Sequence, residues 1–176
     1  MPENQKPDAV DRMVDAYDRM LKHTHDAIVE TGKETVPRLR ELIEKTRDHM
    51  VELGELTREE GAKVAGYLER DLKDAAAYIA NTGEGLREWW RFDLKLMEDR
   101  MLEMFASVAD QTSLQLREWA EQARQAPAYR TGEITGPGTL VCESCGEGLH
   151  FVKAGRIPPC PKCGATGFRR EQGAQS

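Results

Sequence analysis

Two closely spaced cysteine pairs constrain this chain more than any other feature of its sequence. All four cysteines of the 176 residues fall within 22 positions, as Cys142-x-x-Cys145-Gly and Cys160-x-x-Cys163-Gly. Two intervening residues allow a tight turn that aims both sulfurs of a pair at one ion, and the following glycine lets the backbone turn with a positive φ angle. The pattern predicts a tetrahedral site of four thiolates, with backbone N–H groups donating to the sulfurs.

The residues around the two pairs predict short strands. Alternation and turn residues favour strands in four places: Thr139–Val141, Leu149–Lys153, Arg156–Ile157 and Gly167–Arg170. Strands this short bury too little apolar surface to fold alone, so metal binding would supply the folding free energy. We therefore predict a small zinc ribbon.

Other roles for the cysteines are less favoured. Disulfides belong to oxidising compartments, and the first residues lack the basic and apolar blocks of a signal peptide, so the expected compartment is the cytoplasm. A redox pair at Cys160 and Cys163 would stand alone at the start of a helix, whereas here a second pair precedes it. Iron remains an alternative to zinc, because rubredoxin uses the same thiolate turns.

The sequence before residue 127 predicts long amphipathic helices. Apolar or small residues recur at steps of three and four in four segments, which run from Val14 to Ile28, from Val36 to Leu53, from Gly61 to Ile79 and from Trp90 to Ala123. In the fourth segment the phase slips by one after Val108, which favours a bend near Asp110–Ser113. A capping box at Thr57–Glu60 marks the start of the third helix. Because the recurrence is close to 3.5 residues, coiled-coil-like packing is expected.

The predicted fold class is therefore mainly α. We expect an elongated antiparallel helical bundle, or coiled-coil hairpins, with a small C-terminal β zinc ribbon. The predicted divisions are a flexible leader (1–7), the helical bundle (8–126), a linker rich in proline and glycine (127–138), the ribbon (139–171) and a flexible tail (172–176).

Three stretches of this sequence resemble a known family. Thr131–Cys142, Gly54–Glu60 and the paired cysteine turns are similar to a bacterial family of zinc-ribbon-containing proteins (YbeL-like), which join a helical region to a C-terminal ribbon. The resemblance runs from about residue 8 to 170. It implies one structural Zn²⁺ held by Cys142, Cys145, Cys160 and Cys163. The family is uncharacterised in function, so the resemblance supports the architecture rather than an activity.

Catalytic motifs are scarce. A helical bundle followed by two cysteine pairs also resembles rubrerythrin, a di-iron peroxidase, but a di-iron centre needs Glu-x-x-His motifs on facing helices. Of the four histidines only His150 follows a glutamate by three positions, Glu147, and this pair lies in the predicted ribbon. No phosphate-binding loop, nucleophile elbow or His-Glu-x-x-His motif occurs. We expect a protein that is not an enzyme, and a rubrerythrin-like iron enzyme is the third interpretation.

The charge distribution bears on partners. The formal net charge of the chain is −6. Residues 1–130 have a net charge of −7, so the helices would repel a phosphate backbone. Nucleic acid, or a transcription or translation complex, is the alternative partner, contacted through Lys153, Arg156, Phe151 and Phe168. The favoured partner is a protein, or a second copy of the helices. No apolar run is long enough to span a membrane. The resulting prediction is a non-catalytic, zinc-binding interaction or scaffold protein.

Overall fold

The computed structural model describes residues 8–31, 39–82 and 128–171 and the single positions 108, 115 and 118. Three helices come first: α1 (Ala9–Thr31), α2 (Leu39–Glu52) and α3 (Arg58–Thr82). Six short strands follow: β1 (Tyr129–Arg130), β2 (Ile134–Thr135), β3 (Gly138–Cys142), β4 (Gly148–Phe151), β5 (Gly155–Arg156) and β6 (Gly167–Arg170). The predicted leader (1–7), the tail (172–176) and most of the fourth helical segment lie outside the described residues.

The three helices pack against one another around a shared apolar core. Each contributes residues of the face that the sequence predicts, and α1 adds Met20 from beside that face. The deeply buried large members are Tyr17, Met20, Leu21, Leu39, Ile43, Met50, Leu68 and Leu72. Burial of a large aliphatic side chain is worth about 1.5–3 kcal/mol, and such packing supplies most of the stability of helices in proteins. Val108, from the fourth predicted segment, is helical and buried in the same core.

The turn between α2 and α3 follows from its sequence. Gly54 has a φ angle of 71°, and the N–H groups of Gly54 and Glu55 donate to the carbonyl oxygens of Val51 and Met50 at 3.0 and 3.1 Å. These two bonds form a Schellman motif, which ends a helix. Leu53 was expected in the core by its spacing, but it is 59% exposed because α2 has already ended.

The predicted capping box at the start of α3 is confirmed. The N–H of Thr57 donates to Oε2 of Glu60 at 2.9 Å, and the N–H of Glu60 donates to Oγ1 of Thr57 at 3.1 Å. Both bonds satisfy N–H groups near the helix start, and the same bond from Thr57 lowers the pKa of the Glu60 carboxyl. The start of α3 is therefore fixed by local sequence.

The strands form two small antiparallel sheets. The larger has the order β1-β6-β3-β4, and the smaller pairs β2 with β5. In the larger sheet Cys142 of β3 is opposite Phe168 of β6, and Leu140 is opposite Arg170. Burial alternates along β3 and β6, so Leu140, Cys142, Phe168 and Arg170 share the inner face.

The segment 127–138, assigned to a linker by its proline and glycine content, contains β1 and β2. Tyr129 and Ile134 within it are buried. The glycines serve tight turns instead of a flexible connection, since Gly132 and Gly138 have φ angles of 95° and 133°. The β part of the chain therefore begins at β1, earlier than the predicted boundary at residue 139.

The helices and the ribbon are in contact. Strand β2 packs on α1 and α3, and β5 packs on α1. Ile134 and Ala154, both in the ribbon, are buried in the apolar core that the helices form. Within the described parts of the chain, no helix has the length and apolarity needed to cross a membrane.

Candidate metal centre

The four cysteines come together at one end of the ribbon. All four Sγ atoms lie within 4.8 Å of one another, with Cys142 to Cys163 and Cys145 to Cys160 both at 3.6 Å. A disulfide would require about 2.05 Å, and the thiols are free. Tetrahedral zinc with Zn–S bonds of about 2.3 Å places its sulfurs about 3.8 Å apart. The four thiols therefore fit a zinc-binding site.

Each cysteine pair is built on the same backbone turn. The N–H of Gly146 donates to the carbonyl oxygen of Cys142 at 2.9 Å, and Gly164 donates to that of Cys160 at 2.8 Å. The two glycines have φ angles of 75° and 74°, as the sequence predicts. A second bond closes each turn, from the N–H of Cys142 to Glu147 and from that of Cys160 to Ala165. Local sequence alone thus orients two sulfurs per turn.

Backbone N–H groups are directed at the sulfurs. Glu147 donates to Cys145 and Ala165 donates to Cys163, and each bond acts to lower the thiol pKa. Burial and the neighbouring thiols outweigh these bonds, so the pKa of Cys145 is raised to about 12 and that of Cys163 is raised as well. Burial acts to raise the pKa of Cys160, but backbone N–H groups of Cys163 and Lys162 lower it to about 7. Such donors stabilise thiolate charge, which is the ionisation state that binds a metal.

The ribbon end that carries the sulfurs has a small core. Cys142 and Cys160 are buried, Cys145 is half-buried and Cys163 is exposed. The apolar side chains beside them are Tyr129, Leu140, Ile157 and Phe168. Four thiol ligands would leave a bound ion no open coordination position, and structural zinc sites, unlike catalytic ones, are closed in this way.

Only part of the predicted contact surface is exposed in the structure. Lys153 and Arg156 are exposed and Phe151 is half-buried, but Phe168 is completely buried in the ribbon core. Its position opposite Cys142, on the inner face of the sheet, removes it from any partner. The turn between β4 and β5 is not a free tip either, because Ala154 packs into the core of the helices.

A second cluster, which the sequence patterns above do not predict, lies where the ribbon meets the helices. We call it the docking network; its members are Tyr17 of α1, Asp71 and Asp74 of α3, and Tyr129, Thr135, Gly136 and Arg170 of the ribbon. One pattern could have flagged it. Asp71 and Asp74 lie three residues apart beside the apolar positions Leu68 and Leu72, on the face that α3 buries.

Asp71 is the helical centre of the docking network. Its carboxylate is completely buried and accepts from the hydroxyl of Tyr17 at 2.6 Å and from the N–H of Gly136 at 2.7 Å. Arg170 lies 3.4 Å away, and Arg70 donates to the other carboxylate oxygen at 3.3 Å. A buried carboxylate requires such partners, because an unpaired charge in this position would be very costly.

Arg170 is the ribbon's counterpart, with a side chain 1% exposed. It donates to the hydroxyl of Tyr129 at 3.0 Å, to the carbonyl oxygen of Pro137 at 3.0 Å and to Oγ1 of Thr135 at 2.7 Å. Its Nε lies 3.6 Å from Oδ2 of Asp74. Because planar guanidinium offers donors in several directions, one side chain joins β1, β2, β6 and α3.

Asp74 is held by both neighbours. The hydroxyl of Tyr129 donates to its Oδ2, and Arg170 pairs with the same oxygen. Burial raises the pKa of Asp74 to about 6, although the charge of Arg170 and the bond from Tyr129 act to lower it. Burial also raises the pKa of Tyr17 and Tyr129, so both phenols stay protonated and donate.

Arg70 closes the edge of the docking network. It donates to Glu133 of the ribbon at 2.6 Å and to the carbonyl oxygen of Ile134 at 2.8 Å. Its guanidinium also lies over the ring of Tyr129, 4.0 Å from the centroid. The interface is therefore charge-complementary in both directions, since a ribbon arginine meets helix carboxylates and a helix arginine meets a ribbon carboxylate.

Four free thiols on paired turns of a small antiparallel sheet define a zinc-ribbon protein, and comparisons with known proteins agree. A family described as a zinc-ribbon containing domain matches residues 26–172. YbeL of Escherichia coli (strain K12), named as an uncharacterized protein, is 31% identical over 132 residues, which cover 73% of this chain and 79% of YbeL. The chain therefore belongs to the zinc-ribbon containing, YbeL-like family, as its resemblance indicated.

The YbeL proteins of two other Escherichia coli strains, O6:H1 (strain CFT073) and O157:H7, match with the same identity and coverage. No solved structure matches this chain. The comparisons thus extend to the architecture and the zinc-ribbon class, and the names of these relatives state no activity.

Proposed function

We propose that this protein binds one structural Zn²⁺ through Cys142, Cys145, Cys160 and Cys163 and acts by contact rather than catalysis. The observation that carries the proposal is the convergence of four free thiols, with S···S distances of 3.6 Å, on turns whose N–H groups face the sulfurs. Bound zinc would be saturated by four protein ligands, and its role would be to supply folding free energy to the ribbon.

The interaction role follows from what the two parts offer. The helices would act as an acidic scaffold, and the metal-folded ribbon would present a rigid surface beside them. Assembly of the helices with a second copy, in an elongated or coiled-coil arrangement, is part of this proposal, as is a cytoplasmic location. The apolar residues that recur about every 3.5 residues along the helices support this assembly, because such a repeat favours helix–helix contact.

Metal analysis tests the proposed site directly. Protein purified from its own host should contain one zinc per chain and be colourless, because ferric thiolate sites are coloured and zinc sites are not. A chain with iron at the four cysteines would overturn the choice of zinc. A chain that binds neither metal stoichiometrically would overturn the site itself.

Partner capture tests the interaction role. The full chain should retain a specific protein, or a second copy of itself, and the Cys142→Ala variant should lose any partner that contacts the ribbon. Ser144→Ala, in the same turn, is the matched control because Ser144 is exposed and is not a predicted ligand. If the two variants and the wild type capture the same proteins, the ribbon is not a contact surface.

Nucleic-acid binding is the second candidate, supported by the exposure of Lys153 and Arg156 on the ribbon. Binding of this type would weaken steeply with salt and would be lost in the Lys153→Ala/Arg156→Ala double variant. Absence of binding to DNA and RNA at low salt rejects it. The acidic helices, which carry most of the net charge, argue against it.

A rubrerythrin-like iron enzyme remains third. Its di-iron centre would need Glu-x-x-His motifs in the helices, and the one Glu-x-x-His pair of the sequence, Glu147 and His150, lies in the ribbon. Peroxidase activity in iron-loaded protein would restore this interpretation.

A further inference from the structure

We infer that metal binding at the four cysteines controls docking of the ribbon on α1 and α3, so that the protein switches between a docked, metal-bound form and an undocked, metal-free form. The inference rests on the proposed zinc site. It adds a conformational consequence, carried by the docking network, that the site alone does not imply.

First, strand pairing links the four sulfurs to the docking network. Cys142 lies opposite Phe168, and Arg170 follows two residues later on the same face of β6. Tyr129 is paired with Phe168 from the other side. Arg170 of β6 and Tyr129 of β1 are therefore held in place by strands that are paired next to the cysteine turns.

The second step concerns the stability of the ribbon by itself. Its core contains six buried side chains, two of which are the ligands Cys142 and Cys160. A core this small does not offset the conformational entropy of about forty ordered residues. Removal of the metal would therefore unfold the strands that carry Tyr129 and Arg170.

The third step is that docking is all-or-none. Arg170 contacts Tyr129, Thr135 and the two helix carboxylates at once, and all of these groups are buried. A partly satisfied buried network is less favourable than full separation into water, because each unpaired charge keeps its desolvation cost. Loss of Arg170 from its place would release the whole interface.

The fourth step is that the helices hold together without the ribbon. Their core is made mainly of their own side chains, with Ile134, Ala154 and the half-buried Val152 as the ribbon's additions. After undocking, Asp71 and Asp74 would face water as ordinary carboxylates. The metal-free form would thus expose an acidic face on α3 that the metal-bound form covers.

Amide exchange on the wild-type protein tests the switch. The N–H of Gly136 lies outside every strand pair and is bonded to Asp71, so its protection reports docking. Hydrogen exchange at Gly136 should be slow with zinc and at least 10-fold faster after chelation, while helical circular dichroism is retained. Unchanged protection at Gly136 in zinc-free protein would overturn the inference. So would loss of most helical signal, since helices and ribbon would then unfold as one unit.

Linkage gives a second, independent test. If zinc favours docking, docking must favour zinc by the same factor. A Cβ at Gly136 would lie 2.6 Å from the hydroxyl of Tyr17, a buried group already bonded to Asp71, so Gly136→Ala should disrupt docking far from the sulfurs. Gly66→Ala is the matched control, because nothing lies within 4 Å of its added Cβ.

Zinc affinity measured by chelator competition should fall about 10-fold in Gly136→Ala and stay within 2-fold of wild type in Gly66→Ala. Tyr17→Phe, which removes one hydroxyl and keeps the ring, should weaken zinc in the same direction and covers the case in which Gly136→Ala does not fold. Equal zinc affinities in all folded variants would overturn the switch while leaving the zinc site intact. Absence of zinc binding in the wild type would instead overturn the proposed function.

Discussion

The two ends of the ribbon are held in opposite ways. At the metal end, four thiols from two similar turns converge, and Cys163 among them is exposed. At the docking end, charged and phenolic groups from three separate parts of the chain are buried together, with Tyr17 bonded to Asp71 and Tyr129 to Asp74 across 54 and 55 residues of sequence. The metal end depends on local geometry, and the docking end depends on the whole fold.

The two ends contribute differently to the fold. Metal coordination supplies stability to strands that bury little surface. A buried ionic network contributes less net stability than its number of contacts suggests, because desolvation opposes the attraction, but it rejects arrangements that leave a charge unpaired. We therefore expect the metal end to decide whether the ribbon folds and the docking end to decide where it sits.

The largest effect is expected from loss of a metal ligand. Cys142→Ala should unfold the ribbon and leave the helices intact, because structural zinc sites supply on the order of 10 kcal/mol of apparent binding free energy. Zinc stoichiometry and helical circular dichroism measure the two parts separately, with Ser144→Ala as control. Loss of most helical signal in Cys142→Ala would contradict the separation of the two ends.

The next effect concerns the buried arginine. Arg170→Ala removes the positive charge that the ribbon brings to Asp71 and Asp74, and breaking a buried ion pair from one side costs about 3–5 kcal/mol. The free energy of unfolding, from urea titration with zinc present, should fall by that amount. Arg169→Ala, at the adjacent exposed position, should change it by less than about 0.5 kcal/mol. A loss in Arg170→Ala as small as that in Arg169→Ala would show that the docking end contributes no stability.

A smaller effect should appear as a pH dependence. Because the pKa of Asp74 is raised to about 6, the folded protein holds this proton more tightly than the unfolded chain does. The contribution of this proton to the free energy of unfolding is fully present below about pH 4 and is lost as the pH rises through 6. Between pH 5 and pH 7 the free energy of unfolding of the wild type should fall by about 1 kcal/mol relative to Asp74→Asn.

The difference between wild type and Asp74→Asn is the informative quantity, since protonation of the sulfurs affects both proteins alike. A constant difference across this pH range would mean that Asp74 is not desolvated in the docked protein. Both proteins should be measured with saturating zinc, so that the ribbon is folded in each of them.

The smallest effect is expected beside the metal. Lys162 and Glu147 form an ion pair of 3.6 Å, with side chains 63% and 42% exposed. Exposed pairs of this kind contribute about 0–1 kcal/mol, so Lys162→Ala should leave the thermal midpoint within about 4 °C of wild type. A larger loss would show that surface charge, and not the sulfurs alone, stabilises the metal end.

Much of the fold follows from sequence patterns that act over short distances. The capping box at Thr57 is visible in the sequence because it needs only residues within one helical turn. The cysteine turns are equally local, with Gly146 and Gly164 adopting the positive φ angles expected of them. The buried faces of the helices follow from periodicity, since a helix repeats its direction every 3.6 residues.

The errors have an equally physical cause. Proline and glycine in 127–138 suggested a linker, but the same residues serve tight turns between β1, β2 and β3. Phe168 looked available to stack on a base, and its actual burial follows from pairing with Cys142 and Tyr129. Strand partners that are 26 and 39 residues away in sequence are not readable from local spacing.

The cysteine turns, the buried helix faces and the start of α3 follow from the sequence alone, because periodicity and turn chemistry act among neighbours. The burial of Asp71, Asp74 and Arg170 against one another follows from the tertiary structure and not from local patterns. The positions of Asp71 and Asp74 on the apolar face of α3 are local, but their partner Arg170 is distant in sequence, and a charge can leave water only where opposite charges and hydrogen-bond donors meet it. The position of the ribbon on α1 and α3 is therefore a property of the assembled fold.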